Sequence, residues 1–104
     1  MQADIAEKRD ALAALCRQYG VRRLEVFGSA ARGTDFDPDR SDADFLVTFA
    51  PAARNDLAAF TGLKGALENL LGRPVDLIER EAIEKSRNYI RRRAILRDVE
   101  AVSG

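Results

Sequence analysis

The sequence contains no histidine and a single cysteine, Cys16. Without histidine a Ser-His-Asp or Cys-His arrangement is excluded, and so is histidine-bound zinc. One cysteine allows neither an internal disulfide nor a thiolate cluster. Any metal must therefore be held mainly by oxygen, which favours Mg²⁺ or Mn²⁺ ahead of Ca²⁺. Cys16 lies on the apolar side of an expected helix and reads as a core residue rather than a reactive thiol. Net charge is also missing, because 17 basic residues balance 17 acidic ones. That balance argues against broad electrostatic affinity for nucleic acid or an anionic membrane. No apolar run approaches the roughly eighteen residues needed to cross a bilayer. The opening Met1-Gln2-Ala3-Asp4 lacks the basic start and apolar core of a signal peptide. The expected location is the cytoplasm.

What remains is the composition of a globular chain, 46% hydrophobic and 33% charged over 104 residues. That length suits one compact domain, 1–104, with a real core. Ile5, Leu12, Leu15, Cys16 and Tyr19 recur at helical spacing through residues 2–19, and Gly20 stands where a left-handed residue would stop the helix. Residues 21–27 read as a strand, 29–32 as one short helical turn and 33–40 as a polar loop. Residues 44–49 are β-branched and aromatic, a second strand ended by Pro51. Leu57, Phe60, Leu63, Leu67, Leu70 and Leu71 mark a helix over about 54–71, with Gly62 and Gly65 placed where it approaches the sheet. Residues 74–79 form a third short strand, and 82–102 read as a final helix whose apolar side carries Ile90, Ile95, Leu96, Val99 and Val102. The expected architecture is α/β (α+β), a small mixed sheet with helices packed on it.

Three segments carry chemistry. Gly28 and Gly33 have the spacing of a Walker A loop, but Thr34 stands where its lysine must be, and the stretch is not G-x-G-x-x-G either. A strand, a glycine, Ser29 and a helix start remain, where unpaired N–H groups would suit an anion. The plain alternative is a turn in which Ser29 only caps the helix. Asp35, Asp37 and Asp39 read as solvated loop residues, since Arg40 and Leu46 occupy the glycine and glutamate positions of an EF-hand. Asp42 and Asp44 differ because they lead into an apolar strand. At i and i+2 they point the same way about 6–7 Å apart, and repel by roughly 3 kcal/mol at an effective dielectric near 20. They call for a cation between them, for protonation of one of them, or for a strand entrance open to water. Asp76 stands between Val75 and Leu77-Ile78 in a strand that looks buried on both faces, where the main alternative to a metal role is an ion pair with Arg32 or Arg73. Should the three aspartates converge near the glycine turn, they form the ligand set of a two-magnesium phosphoryl or nucleotidyl transfer site. Arg87, Arg91, Arg92, Arg93 and Arg97 are either the wet face of the last helix or a docking or triphosphate-contacting surface.

Taken together, Gly28-Ser29-x-Ala31-Arg32-Gly33, Ser41-Asp42-x-Asp44-Phe45-Leu46-Val47 and Val75-Asp76-Leu77 resemble the DNA polymerase beta superfamily of nucleotidyltransferases. The similarity spans about residues 21–79. It is greatest to the minimal nucleotidyltransferase group, often the antitoxin half of a bacterial pair with a HEPN-domain toxin. The resemblance implies that Gly28 and Ser29 hold the β- and γ-phosphates of ATP as substrate, with Arg32 contacting phosphate or bracing the aspartates. It implies that Asp42 and Asp44 each bind Mg²⁺, one of the two ions on the triphosphate and one at the attacking hydroxyl. Asp76 then completes the hydroxyl-side metal site and helps remove the proton. Ala30 stands where many members carry a larger, often basic residue. The implied reaction transfers AMP to a tyrosine hydroxyl of a cognate HEPN toxin, with no membrane and no direct nucleic-acid partner. Larger members carry a further helical domain around the acceptor, so so small a domain is expected to have its acceptor presented by another protein. Two other readings are a non-catalytic antitoxin that acts by binding, and a small-molecule nucleotidyltransferase completed by dimerisation. Homo-oligomers are left open.

Overall fold

The computed structural model describes residues 3–27, 43–97 and 99–103. The expected helical turn at 29–32 and the loop at 33–40 lie outside the described residues. Helices α1 (Ala3–Glu7) and α2 (Arg9–Gln18) replace the single expected helix, with a jog at Lys8. The Lys8 ammonium donates to the Leu70 carbonyl at 3.0 Å, a cation at the carboxyl end of a helix, where the dipole favours it. Gly20 follows at φ 69°, and a Cβ there would meet the Ala53 Cβ at 2.9 Å. Only glycine both adopts that angle freely and leaves that space.

Strand β1 (Val21–Val26) and strand β2 (Ala43–Phe49) pair antiparallel, Val26 opposite Phe45. A 3₁₀ turn (Pro51–Ala53) precedes helix α3 (Leu57–Leu71). Asp56 caps that helix through its carboxylate, which accepts from the Ala59 N–H at 3.2 Å. Gly72, at φ 70°, ends it in the left-handed conformation. Strand β3 (Val75–Glu79) then pairs parallel with β2, so the crossover helix α3 covers one face of the sheet. Gly62 is not at the sheet as expected. A Cβ there would meet the Tyr19 ring at 2.7 Å, while Gly65 has open space around it. The close approach is between helices, where α3 passes the end of α2.

Past β3 the sequence expectation fails in one respect. In place of one helix over 82–102 the chain makes α4 (Arg80–Glu84), α5 (Tyr89–Arg97) and a fourth strand, β4 (Glu100–Ser103). Strand β4 pairs antiparallel with β1, giving the order β3-β2-β1-β4. Val99 and Val102 have helical spacing, but the open edge of β1 offers backbone partners at Leu24, Glu25 and Val26, and tertiary pairing overrides the local pattern. The mixed sheet is as expected, with one strand more.

Alternation along the strands makes two different faces. Leu24, Val26, Phe45, Val47, Val75 and Leu77 meet Leu12, Cys16, Leu63 and Leu67 in the main core. The opposite face is thinner. There Phe27, Leu46 and Ile83 are buried, with Ile78, Ile95, Leu96 and Val99 packed around them. Cys16 is buried among the core residues, as expected, and burial pushes its thiol above the ordinary range. Among the described residues no helix is long and apolar enough to cross a membrane.

Candidate active site at one end of the sheet

The parallel register of β2 and β3 sets Asp44 directly beside Asp76. Register partners in a sheet share a face, and neighbouring strands lie about 4.8 Å apart. The two carboxylates therefore stand side by side on the thinner face, one step before Leu46 and Ile78. Asp44 is half-buried and Asp76 is exposed. Backbone bonds close this end of the sheet. The Phe27 N–H donates to the Asp44 carbonyl at 3.1 Å, and the Ala43 N–H donates to the Pro74 carbonyl at 3.1 Å. The first bond fixes the end of β1, and with it the residue from which the chain continues to Gly28, against the acid-bearing start of β2.

The surroundings of Asp76 correct one expectation. Its strand is not buried on both faces: Val75 and Leu77 are buried, Asp76 is exposed and Ile78 is half-buried. Strand β3 is an edge strand, so one of its faces opens to water. No ion pair is then needed to explain the aspartate. Arg73, proposed as its partner, forms an ion pair with Asp4 at 3.3 Å, and burial pulls its guanidinium below the usual range against the opposing effect of Asp4. Gly28, Ser29, Arg32 and Asp42 lie outside the described residues. Among the described residues no three metal-capable side chains gather at one point; of the three expected acids, the two that are described are neighbours.

Two supports under the acid pair escaped the sequence reading. Glu68, near the end of α3, accepts from the Val75 N–H at 3.1 Å. That bond, followed by the Lys64 ion pair, holds the Glu68 carboxyl below the ordinary glutamate range. It also ties the first residue of β3, next to Asp76, to the helix. The second support is Glu25, only 1% exposed on the same face as Asp44. Its two carboxylate oxygens accept from one Arg80 nitrogen at 2.7 and 2.8 Å, while Arg80 Nε donates to Glu84 at 2.8 Å. A carboxylate inside the run Leu24-Glu25-Val26-Phe27 was the signal, since a buried charge requires a partner.

The acid pair can hold a cation. Two carboxylates at about 5 Å repel by roughly 1 kcal/mol in water and 3 kcal/mol at a dielectric near 20, and a hard divalent ion with oxygen ligands relieves that repulsion. The two described cavities lie elsewhere. One, of about 250 Å³, sits at the far end of β2 beside Arg22, Arg54 and Glu81. The other, about 460 Å³, opens along the β3 edge between Leu57, Phe60 and Leu77. Arg54 and Glu81 are ion-paired across the first.

Known proteins place the chain in a family. Residues 8–97 match the family described as Nucleotidyltransferase domain. The chain is 39% identical over 70 residues to protein adenylyltransferase MntA of Thermococcus cleftensis, covering 67% of each chain. It superposes on a solved structure described as a minimal nucleotidyltransferase with a TM-score of 0.69 at 35% identity, covering 90% of this chain and 88% of the other. A toxin–antitoxin structure with AMP-PNP shares the fold, with a TM-score of 0.66 at 21% identity over 92% of this chain and 73% of that one. With a mixed sheet that sets two aspartates side by side at the end where β1 leads into Gly28-Ser29, the chain belongs to the nucleotidyltransferase-domain family in its minimal form.

Proposed function

We propose that the chain, as a single minimal domain, is a Mg²⁺-dependent protein adenylyltransferase that moves AMP from ATP to a tyrosine hydroxyl of a cognate HEPN toxin and so acts as its antitoxin. The observation that carries the reading is the register of Asp44 with Asp76 beside the end of β1. The adenylyltransferase name of the Thermococcus cleftensis relative supports the reaction. The toxin–antitoxin complex of like fold supports the partner and the nucleotide.

The roles divide by chemistry. Asp42, Asp44 and Asp76 would hold two Mg²⁺, which when bound supply positive charge for the entering and leaving oxygens. Gly28 and Ser29 grip the β- and γ-phosphates through backbone N–H groups, and Arg32 meets phosphate charge. Asp76, open to solvent, receives the acceptor's proton as its oxygen attacks the α-phosphorus and pyrophosphate leaves. Asp44, held through its own carbonyl by Phe27, keeps the reacting groups in line. Positioning and electrostatics carry the reaction, so the missing histidine costs it nothing.

The test is transfer of label from α-labelled ATP to the toxin in the presence of Mg²⁺. Asp44→Asn and Asp76→Asn are expected to lower the rate at least 100-fold while the protein stays folded. Neutralisation of the toxin that persists in both variants without label would overturn catalysis in favour of binding alone.

A further inference from the structure

Helix α5 presents a surface that the transferase reading leaves unused. From Arg87 to Arg97 the chain carries five arginines and no acid, although the whole chain is neutral. The packed side of the helix is Arg92, Ile95, Leu96 and then Val99, at i, i+3, i+4 and i+7. Ile95, Leu96 and Val99 lie against the Phe27–Leu46–Ile83 cluster. Arg92 is anchored, donating to the Glu84 carbonyl at 3.1 Å. Ile90 does not belong to that stripe as expected: it lies about 140° around the helix from Ile95 and is 77% exposed. Tyr89, 60% exposed, precedes it at the first position of the helix, and Arg87, Arg91 and Arg93 are exposed as well.

We infer that the exposed start of α5 is where an acidic protein surface docks, with Ile90 and the neighbouring Tyr89 entering an apolar socket and Arg87, Arg91 and Arg93 meeting carboxylates around it. The inference rests on the transferase reading for the identity of the partner, the toxin that offers the acceptor hydroxyl. Two features favour a protein over a nucleic acid. The cations are arginines set around an exposed tyrosine and isoleucine, the composition of interface centres rather than of a solvated rim. An exposed isoleucine gains nothing from a phosphate backbone. Location adds a third. Ile95 and Leu96 of α5 pack against the cluster that contains Phe27 and Leu46, and Leu46 shares its sheet face with Asp44 and Asp76, so α5 lies on the face of the sheet that carries the acid pair.

The experiment uses the full chain and the toxin encoded with it, comparing wild type with R91E/R93E and with I90D. All three substituted side chains are exposed, and circular dichroism checks that the fold is kept. Toxin affinity is expected to fall at least tenfold in each variant. The wild-type affinity should weaken between 50 and 500 mM salt, and that of R91E/R93E should not. In transfer assays KM for toxin rises while kcat at saturating toxin and ATP affinity stay unchanged. Binding within twofold of wild type in both variants would overturn the inference. So would a kcat loss at constant KM, no toxin binding by wild type, or displacement of the toxin by a 20-nucleotide single-stranded RNA. Wild type that binds toxin without labelling it would sink the transferase reading while the affinity comparison still decides the docking face.

Discussion

Removing Arg80 leaves Glu25 as a buried charge, and that single change tests how the thinner face of the sheet is held. Glu25 is 1% exposed and accepts from Arg80 with both oxygens. Its other cation, Arg23, is at 3.4 Å with a half-exposed side chain. Breaking one side of a buried pair costs about 3–5 kcal/mol. Arg80 is itself 30% exposed, and Arg23 can draw closer, so R80M is expected at the low end, about 3 kcal/mol. For a domain near 100 residues that lowers Tm by roughly 12–24 °C. Urea unfolding gives the free energy, and scanning calorimetry gives Tm. The decisive comparison is the double variant E25L/R80M. It removes both charges and fills the space with carbon, and it should return to within about 1 kcal/mol of wild type. A loss below about 1 kcal/mol in R80M, or a double variant no more stable than R80M, would refute the claim that the pair is a buried, mutually dependent charge.

Opposite effects are expected from two glycine-to-alanine changes in one helix. Gly65→Ala has open space and should stabilise by about 1 kcal/mol from helix propensity, whereas Gly62→Ala meets the Tyr19 ring at 2.7 Å and should destabilise by about 1 kcal/mol net of that gain; urea midpoints compare them. Lys85 and Arg54 hold the Glu81 carboxyl down, to about 2 from 4.5. Because the folded value is the lower, this contribution to stability is present above pH 4.5 and disappears as pH falls toward 2, and an NMR titration of Glu81 that turns near 4.5 would contradict it. The Cys16 thiol should resist a thiol reagent at pH 8 until urea unfolds the chain. Rapid modification of the native protein would count against its burial.

The elements that place the acids were legible in the sequence because their signals are local. Strand β2 is a β-branched and aromatic run, and α3 carries a leucine repeat closed by Gly72 and Pro74. The register that sets Asp44 beside Asp76 was not legible, since it depends on how a parallel crossover docks. Strand β4 was missed for a related reason. Its four residues have no strand alternation of their own strength and take their form from the edge of β1. The break before α5 did leave a mark. The Ser86 hydroxyl accepts from the Asn88 N–H, and the Asn88 side chain accepts from the Arg91 N–H at 3.2 Å. Ser86 and Asn88 are helix-starting residues inside what looked like a continuous pattern. The solvent exposure of Asp76 follows from β3 lying at the sheet margin, a fact of strand order.

Phe27 joins two parts of the molecule. Its ring belongs with Leu46 and Ile83 to the cluster against which Ile95 and Leu96 pack, and its amide donates to the backbone carbonyl of Asp44. A smaller or larger side chain there would change the spacing between the arginine helix and the acid-bearing strand. Drift at position 27 among kindred sequences should consequently be accompanied by volume changes of opposite sign at 46 or 83, so that the spacing between the arginine helix and the paired aspartates is handed down unchanged.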